Sequence, residues 1–373
     1  MREDILVIGA GPAGLAVSAC LRSLGLAPTV VEREQSVAAS WRRHYDRLHL
    51  HTTKRYSALP YAPWPSTAPG YPSREQVVKY LDDYAERFEI RPRLGVLVER
   101  LRREGERFTV QTSQGTLMPR VVVVATGTNA VPVRPAFPGL ETFAGRVIHA
   151  GEYKNAQPYA GQRTLVVGCG NSGAEIALDL AEHEVDVSMV VRGPLHVVPR
   201  DLSGQPSQAI GVLLSRLPLG LRDALSGITV RRAVGDLSGW GIVRPKTGIN
   251  RSILETGRIP LLDLGTVAMV RSGRIKVVPG VTEVHERSVS FADTLTRPYD
   301  AIILATGYRP ALERFITGYE AMAGVLGRPR RLAEDTEVPG LYFVGFRTTS
   351  TGVLRDISLE APRVAAAIAR AVG

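Results

Sequence analysis

Ile5-Leu-Val-Ile8 is an unbroken apolar run that enters glycines directly, and after it Leu15, Ala16, Ala19, Cys20, Leu21 and Leu24 recur at helical spacing before Gly25. Thr29-Val-Val-Glu32 is a second β-rich run. An apolar strand, a glycine turn, a helix with an apolar stripe and another strand form the unit of a parallel sheet, whose strands are covered on both faces. The pattern returns. Thr164-Leu-Val-Val167 runs into Gly168, a helical stretch follows from Ser172 to about Glu182, and Val185–Val191 is the next strand. Two more apolar runs, Val121–Gly127 and Ile302–Gly307, both end in Ala-Thr-Gly, one before the second unit and one after it. This order predicts an α/β protein with two Rossmann-like dinucleotide-binding domains, the second inserted into the first. Residues 1–155 would open the first domain, 156–292 would be the insertion and 293–373 would close the first domain. The stretch from Leu48 to about Tyr71, rich in Pro, Tyr, Trp and His without period, reads as a functional loop.

Composition narrows the class. Of 373 residues 44% are hydrophobic and 22% charged, which suits a soluble globular chain. The net charge of +10 raises the question of a polyanion partner. Only five of the 46 basic residues are lysines, however, and the arginines are scattered, as at Arg42-Arg43 and Arg231-Arg232. No long basic run interleaves with aromatics, so no nucleic-acid partner is expected. No 18-residue apolar run exists, so no membrane span is expected either. At the N-terminus two acids precede an apolar stretch that glycines break after four residues, unlike a leader. Cys20 and Cys169 stand far apart, which excludes a disulfide scaffold, a zinc cluster and a paired redox motif. A reducing, cytoplasmic location follows as the expectation.

The chemistry sits in the glycine turns. In Gly9-Ala-Gly11-Pro12-Ala13-Gly14 the first glycine permits the tight turn, the second lets a pyrophosphate approach and the third lets helix and strand pack. The helix N-terminus then offers free N–H groups to phosphates. Glu32, 23 residues after Gly9, closes the next strand where a carboxylate accepts ribose hydroxyls. Gly168-Cys-Gly170-Asn171-Ser172-Gly173 repeats the pattern, but Arg192 stands at the equivalent strand end. A guanidinium there pairs with a 2′-phosphate that a carboxylate would repel. Glu32 therefore suits FAD and Arg192 suits NADPH, and hydride transfer from nicotinamide to flavin follows as core chemistry. With no cysteine pair, electrons must pass to O2, to a protein partner or to a small molecule.

Phe143-Ala-Gly145-Arg-Val-Ile-His149-Ala-Gly-Glu-Tyr153 fits FxGxxxHxxxY, and through it the chain resembles the class B flavin monooxygenases. Trp41-Arg-Arg-His-Tyr-Asp-Arg-Leu-His-Leu-His51, Ala125-Thr-Gly-Thr-Asn129, His196-Val-Val-Pro-Arg200, Ser272–Gly280, Ile302–Tyr308 and Gly340–Gly345 are similar to segments of the plant YUCCA-type members. The resemblance implies that NADPH reduces FAD, that reduced flavin and O2 form a C4a-(hydro)peroxyflavin, and that one oxygen enters a small organic substrate. A 2-oxo acid such as an aryl-pyruvate, decarboxylated oxidatively, is one substrate that the resemblance implies, and S- or N-oxygenation stays open. The alternative is a reductase or oxidase passing electrons to a partner or to O2 as peroxide. His51 and Asn129 are the expected catalytic residues; FMO-like relatives carry Asn in the place that corresponds to His51. Arg33, Trp41, Arg42 and Val98 join the expected cofactor-binding set, with Ala125, Thr126, Gly127, Ala305, Thr306, Gly307 and Gly345. His149 and Tyr153 are read as supports of the linker, and Tyr61, Trp64 and Tyr71 as lining a cavity or packing under a loop. The stretch from Arg347 to Arg355 departs from the ArgArgGly-like run of the family, which bears on the substrate.

Overall fold

A computed structural model describes residues 4–332 and 336–372. Met1–Glu3, part of the segment read above as unlike a leader, lie outside the described residues. Residues 1–43, 52–131 and 308–373 form one unit, and residues 44–51 and 132–307 form another. In chain order the elements that position the site are β1 (Ile5–Ile8), α1 (Pro12–Ser23), β2 (Thr29–Val31), β3 (Val121–Val124), β4 (Arg146–His149) and β5 (Arg163–Val167). They continue with α2 (Asn171–Glu182), β6 (Asp186–Val190), β7 (Ile275–Val278), β8 (Ala301–Leu304), β9 (Leu341–Phe343) and α3 (Val353–Val372).

The first unit is built on a parallel sheet of order β2-β1-β3-β9. Every residue of β1, β3 and β9 is buried, as the unbroken apolar runs require. Leu6, Ile8, Val122, Val124, Leu341 and Phe343 share one core, while α1 and α3 pack together against the sheet. The second unit carries a parallel sheet of order β7-β6-β5-β8-β4. Among the described residues no helix is long and apolar enough to cross a membrane.

The two units divide at 131/132 and 307/308, where spacing along the sequence put the crossings at 155/156 and 292/293. Sheet pairing is the reason. Ala301–Leu304 registers between Thr164–Val167 on one side and Arg146–His149 on the other. Val167, Ile302 and Leu304 therefore sit in one core with Phe143 and Tyr299. Such long-range pairing leaves no period in the sequence.

The FxGxxxHxxxY residues are the fasteners of this second unit. Phe143 packs in its core, and a Cβ at Gly145 would overlap the Asp300 carbonyl oxygen. His149 is buried; its Nδ1 accepts from the Gly151 N–H (3.1 Å), so its Nε2–H donates to the Gly307 carbonyl (3.1 Å). Burial lowers the pKa of that ring, which holds it neutral. The Tyr153 hydroxyl donates to the buried carboxylate of Asp179 at 2.6 Å. Both side chains are committed to holding β4 against β8 and α2.

Candidate active site

In the first unit the chain leaves β1, turns at Gly9 (φ +107°) and enters α1. A Cβ at Gly9 would stand 2.7 Å from the Ala125 carbonyl oxygen, and one at Gly14 would overlap the Gly9 carbonyl. The Ala125–Gly127 turn at the end of β3 is thus pressed against the glycine turn. A Cβ at Gly11, by contrast, would meet nothing within 4 Å. No side chain caps α1, whose N-cap is Gly11 and whose first residue is Pro12, so its N-terminal amides face that open space. Ala13 is buried beside Gly345. Glu32 is held at the rim: its Oε2 accepts from the Ala10 N–H (2.7 Å) and its Oε1 from the Glu34 N–H (3.0 Å).

One further observation indicates a ligand here. The Thr126 hydroxyl is buried and lacks a hydrogen-bond partner among the described residues. Buried hydroxyls are almost always paired. Its counterpart in the second unit, Thr306, donates to the Val133 carbonyl. An open helix end, a fixed carboxylate and an orphaned hydroxyl together fit FAD.

Not every expected residue faces that space. Arg42 grips Asp82 (2.5 and 2.6 Å) and the Val37 carbonyl, so its guanidinium is committed to the protein. Arg33 pairs with Glu34 at 3.2 Å. The Val98 side chain belongs to the core. Trp41 lies half-buried on the short helix Ala39–Arg43. Asn129 is exposed and accepts from the Thr128 hydroxyl at 3.3 Å. Trp64 stacks on Tyr80 (4.2 Å, 13°) and donates to the Ser57 carbonyl, which places it under the loop; Tyr61 is half exposed and Tyr71 half-buried.

The second unit repeats the device. Gly168 has φ +116°, and a Cβ on it would stand 2.5 Å from the Ala305 carbonyl oxygen. A Cβ at Gly173 would overlap the Gly168 carbonyl, while one at Gly170, the uncapped N-cap of α2, would meet nothing within 4 Å. Ala305–Gly307 thus serves this loop as Ala125–Gly127 serves the first. The Asn171 side-chain carbonyl accepts from the Leu262 N–H (2.7 Å), tying the strand Leu261–Asp263 to the start of α2. Arg192, just past β6, is exposed and has no ion pair among the described residues. It and Arg258 both act electrostatically on Cys169 inside the loop. Arg258 was invisible in the sequence, one arginine among many, 66 positions from Arg192. An open helix end, with an exposed arginine just past the next strand, fits the phosphates of NADPH.

Both cysteines are free, and burial pushes both thiols up, Cys20 to about 11. Neither is a nucleophilic thiolate at neutral pH. His51 belongs to the second unit, where its Nε2 lies 2.9 Å from Glu175 Oε2.

Beside Gly345 the segment leading into α3 carries a polar knot. Glu360 accepts from the Gly345 N–H (3.1 Å) and from Arg347 (2.7 Å). Asp356, 4% exposed, accepts from the hydroxyls of Thr349 (2.8 Å) and Thr351 (3.2 Å). Burial raises the Asp356 carboxyl to about 6, with the two hydroxyls opposing the shift. A raised pKa means that its contribution to stability is complete below the unfolded value near 4 and is lost as pH rises through about 6. Asp356→Asn is therefore expected to stabilise the protein at pH 8, by at most about 3 kcal/mol, and to be neutral near pH 4. Urea unfolding at the two pH values checks this; an equal gain at both would contradict it.

The family described as pyridine nucleotide-disulphide oxidoreductase matches residues 6–207. The indole-3-pyruvate monooxygenase YUCCA1 of Oryza sativa subsp. japonica is 45% identical over 309 residues, covering 82% of this chain and 76% of that protein. The indole-3-pyruvate monooxygenase YUCCA6 of Arabidopsis thaliana is 38% identical over 372 residues, covering 96% and 88%. A flavin-containing monooxygenase from Stenotrophomonas maltophilia shares the fold, with a TM-score of 0.74 at 24% identity over 100% of both chains. The chain belongs to the YUCCA-type flavin monooxygenases, and it is an FAD- and NADPH-dependent monooxygenase.

Proposed function

We propose that this monooxygenase acts on an aryl-substituted 2-oxo acid and decarboxylates it oxidatively. The observation that carries the reading is the 45% identity, over 82% of the chain, to a rice protein named for indole-3-pyruvate. When bound, FAD reduced by NADPH supplies the activation of O2. Overall, one oxo acid, one O2, one NADPH and a proton give the acid one carbon shorter, CO2, NADP+ and water.

The residues divide the work. The first unit is assigned to FAD: the open amides of α1 take the pyrophosphate, Glu32 accepts from ribose hydroxyls and Thr126 gains a partner. The second unit is assigned to NADPH, with α2 taking the pyrophosphate and Arg192 the 2′-phosphate. His51 and Asn129 are assigned to the reacting end of the flavin, where a fixed polar group holds a proton ready and a dry site protects reactive oxygen. Thr348–Arg355, tied to Asp356 and departing from the family run, is assigned to substrate selection.

Holoenzyme supplied with NADPH, O2 and indole-3-pyruvate or phenylpyruvate tests this, with catalase present so that free peroxide cannot decarboxylate the oxo acid. One equivalent each of shortened acid and CO2 per NADPH is expected. NADPH consumption with the oxo acids intact, and stoichiometric H2O2 when catalase is left out, would make the chain an oxidase instead.

A further inference from the structure

Glu175 lies on the second turn of α2, and its side chain is only 3% exposed. Two groups converge on one of its oxygens. The Tyr45 hydroxyl donates to Oε2 at 2.7 Å, and His51 Nε2 stands 2.9 Å from the same atom. The phenol keeps its proton, because burial and the facing carboxylate push its ionisation well upward. Oε2 therefore acts as acceptor towards Tyr45, and it is acceptor towards His51 as well. That requires a proton on His51 Nε2, so in the neutral ring Nδ1 holds the lone pair.

Ser172 is the second residue of the same helix, at the end that opens onto the glycine turn. Glu175 and the nucleotide end of α2 thus belong to one helix, four residues apart along it at Asn171. The other charged groups nearby have their own partners. Asp179 takes the Tyr153 hydroxyl (2.6 Å) and Arg47 (3.5 Å), Glu182 takes Arg47 (2.6 Å), and His49 Nδ1 faces the Arg47 carbonyl (2.7 Å).

We propose that Glu175 is the positioning residue of His51. It fixes the Nε2–H tautomer and reserves Nδ1 as the atom where the ring gains and gives up the catalytic proton, with Tyr45 donating to the same carboxylate oxygen. The inference rests on the assignment of His51 to the flavin side made above.

Holoenzyme labelled with 15N-histidine supplies a readout besides turnover, with His51→Asn assigning the resonances. Wild-type His51 is expected to show the Nε2–H pattern. Glu175→Gln, which keeps shape and removes charge, should mix the tautomers, displace the pH profile of kcat and lower kcat about tenfold or more. In a His51→Asn background the same change should cost nothing further. Tyr45→Phe, a milder variant, should keep the tautomer, because the carboxylate facing His51 is still in place. Unchanged ring shifts in Glu175→Gln, or an equal loss in the His51→Asn background, would overturn the proposal. A His51→Asn enzyme with wild-type kcat and pH profile would overturn the assignment of His51 itself, and the catalytic part of the proposal with it.

Discussion

Gly173→Ala is expected to give a protein that retains FAD but is reduced by NADPH about 100-fold more slowly. The added carbon would overlap the Gly168 carbonyl, a backbone atom that cannot turn aside, so α2 must move off β5 and carry its amides out of register. The loss should come with a lower Tm of the second unit. Gly170→Ala is the informative partner. Its Cβ meets no protein atom within 4 Å, so the Tm should hold while the KM for NADPH rises. Gly14→Ala and Gly11→Ala should repeat the contrast in the first unit, with FAD content as the readout. Equal thermal destabilisation by Gly170→Ala and Gly173→Ala would mean that the space before α2 is not reserved for a ligand.

Arg192→Glu is expected to lower kcat/KM for NADPH about 100-fold and to leave NADH unchanged or improved. A charge-assisted hydrogen bond contributes roughly 1.5–3 kcal/mol, and the new carboxylate repels the 2′-phosphate besides. Arg258→Ala should give a smaller loss in the same direction, since it shares the field at Cys169 with Arg192. Rapid mixing of enzyme with each nucleotide under anaerobic conditions measures both effects. Equal losses with NADPH and NADH would signal general damage rather than a lost phosphate partner.

The glycine turns, their flanking strands and the FxGxxxHxxxY residues were legible because each is a local pattern with a local cause. An apolar run that meets glycine is a buried strand entering a turn whichever way the rest of the chain folds. What those residues touch was less legible. Arg42 carried the look of a cofactor contact, yet it is spent on Asp82, a partner 40 positions away. Val98 likewise went to the core. His149 and Tyr153 read as supports from sequence, and the ties that make them so, to Gly307 and Asp179, span 158 and 26 positions.

The sequence by itself determined that there are two nucleotide turns, that one is followed by an acid and the other by an arginine, and that no cysteine pair exists. These facts depend on residue type and short spacing, which the chain displays directly. Only the tertiary structure decided that Ala305–Gly307 closes the second turn rather than the first unit, that Thr126 is left with an orphaned hydroxyl, and that His51 meets Glu175. The physical reason is that parallel pairing and buried hydrogen bonds join segments far apart in the chain. Which oxygen a histidine finds across 124 positions is settled by sheet order, and sheet order has no local signature.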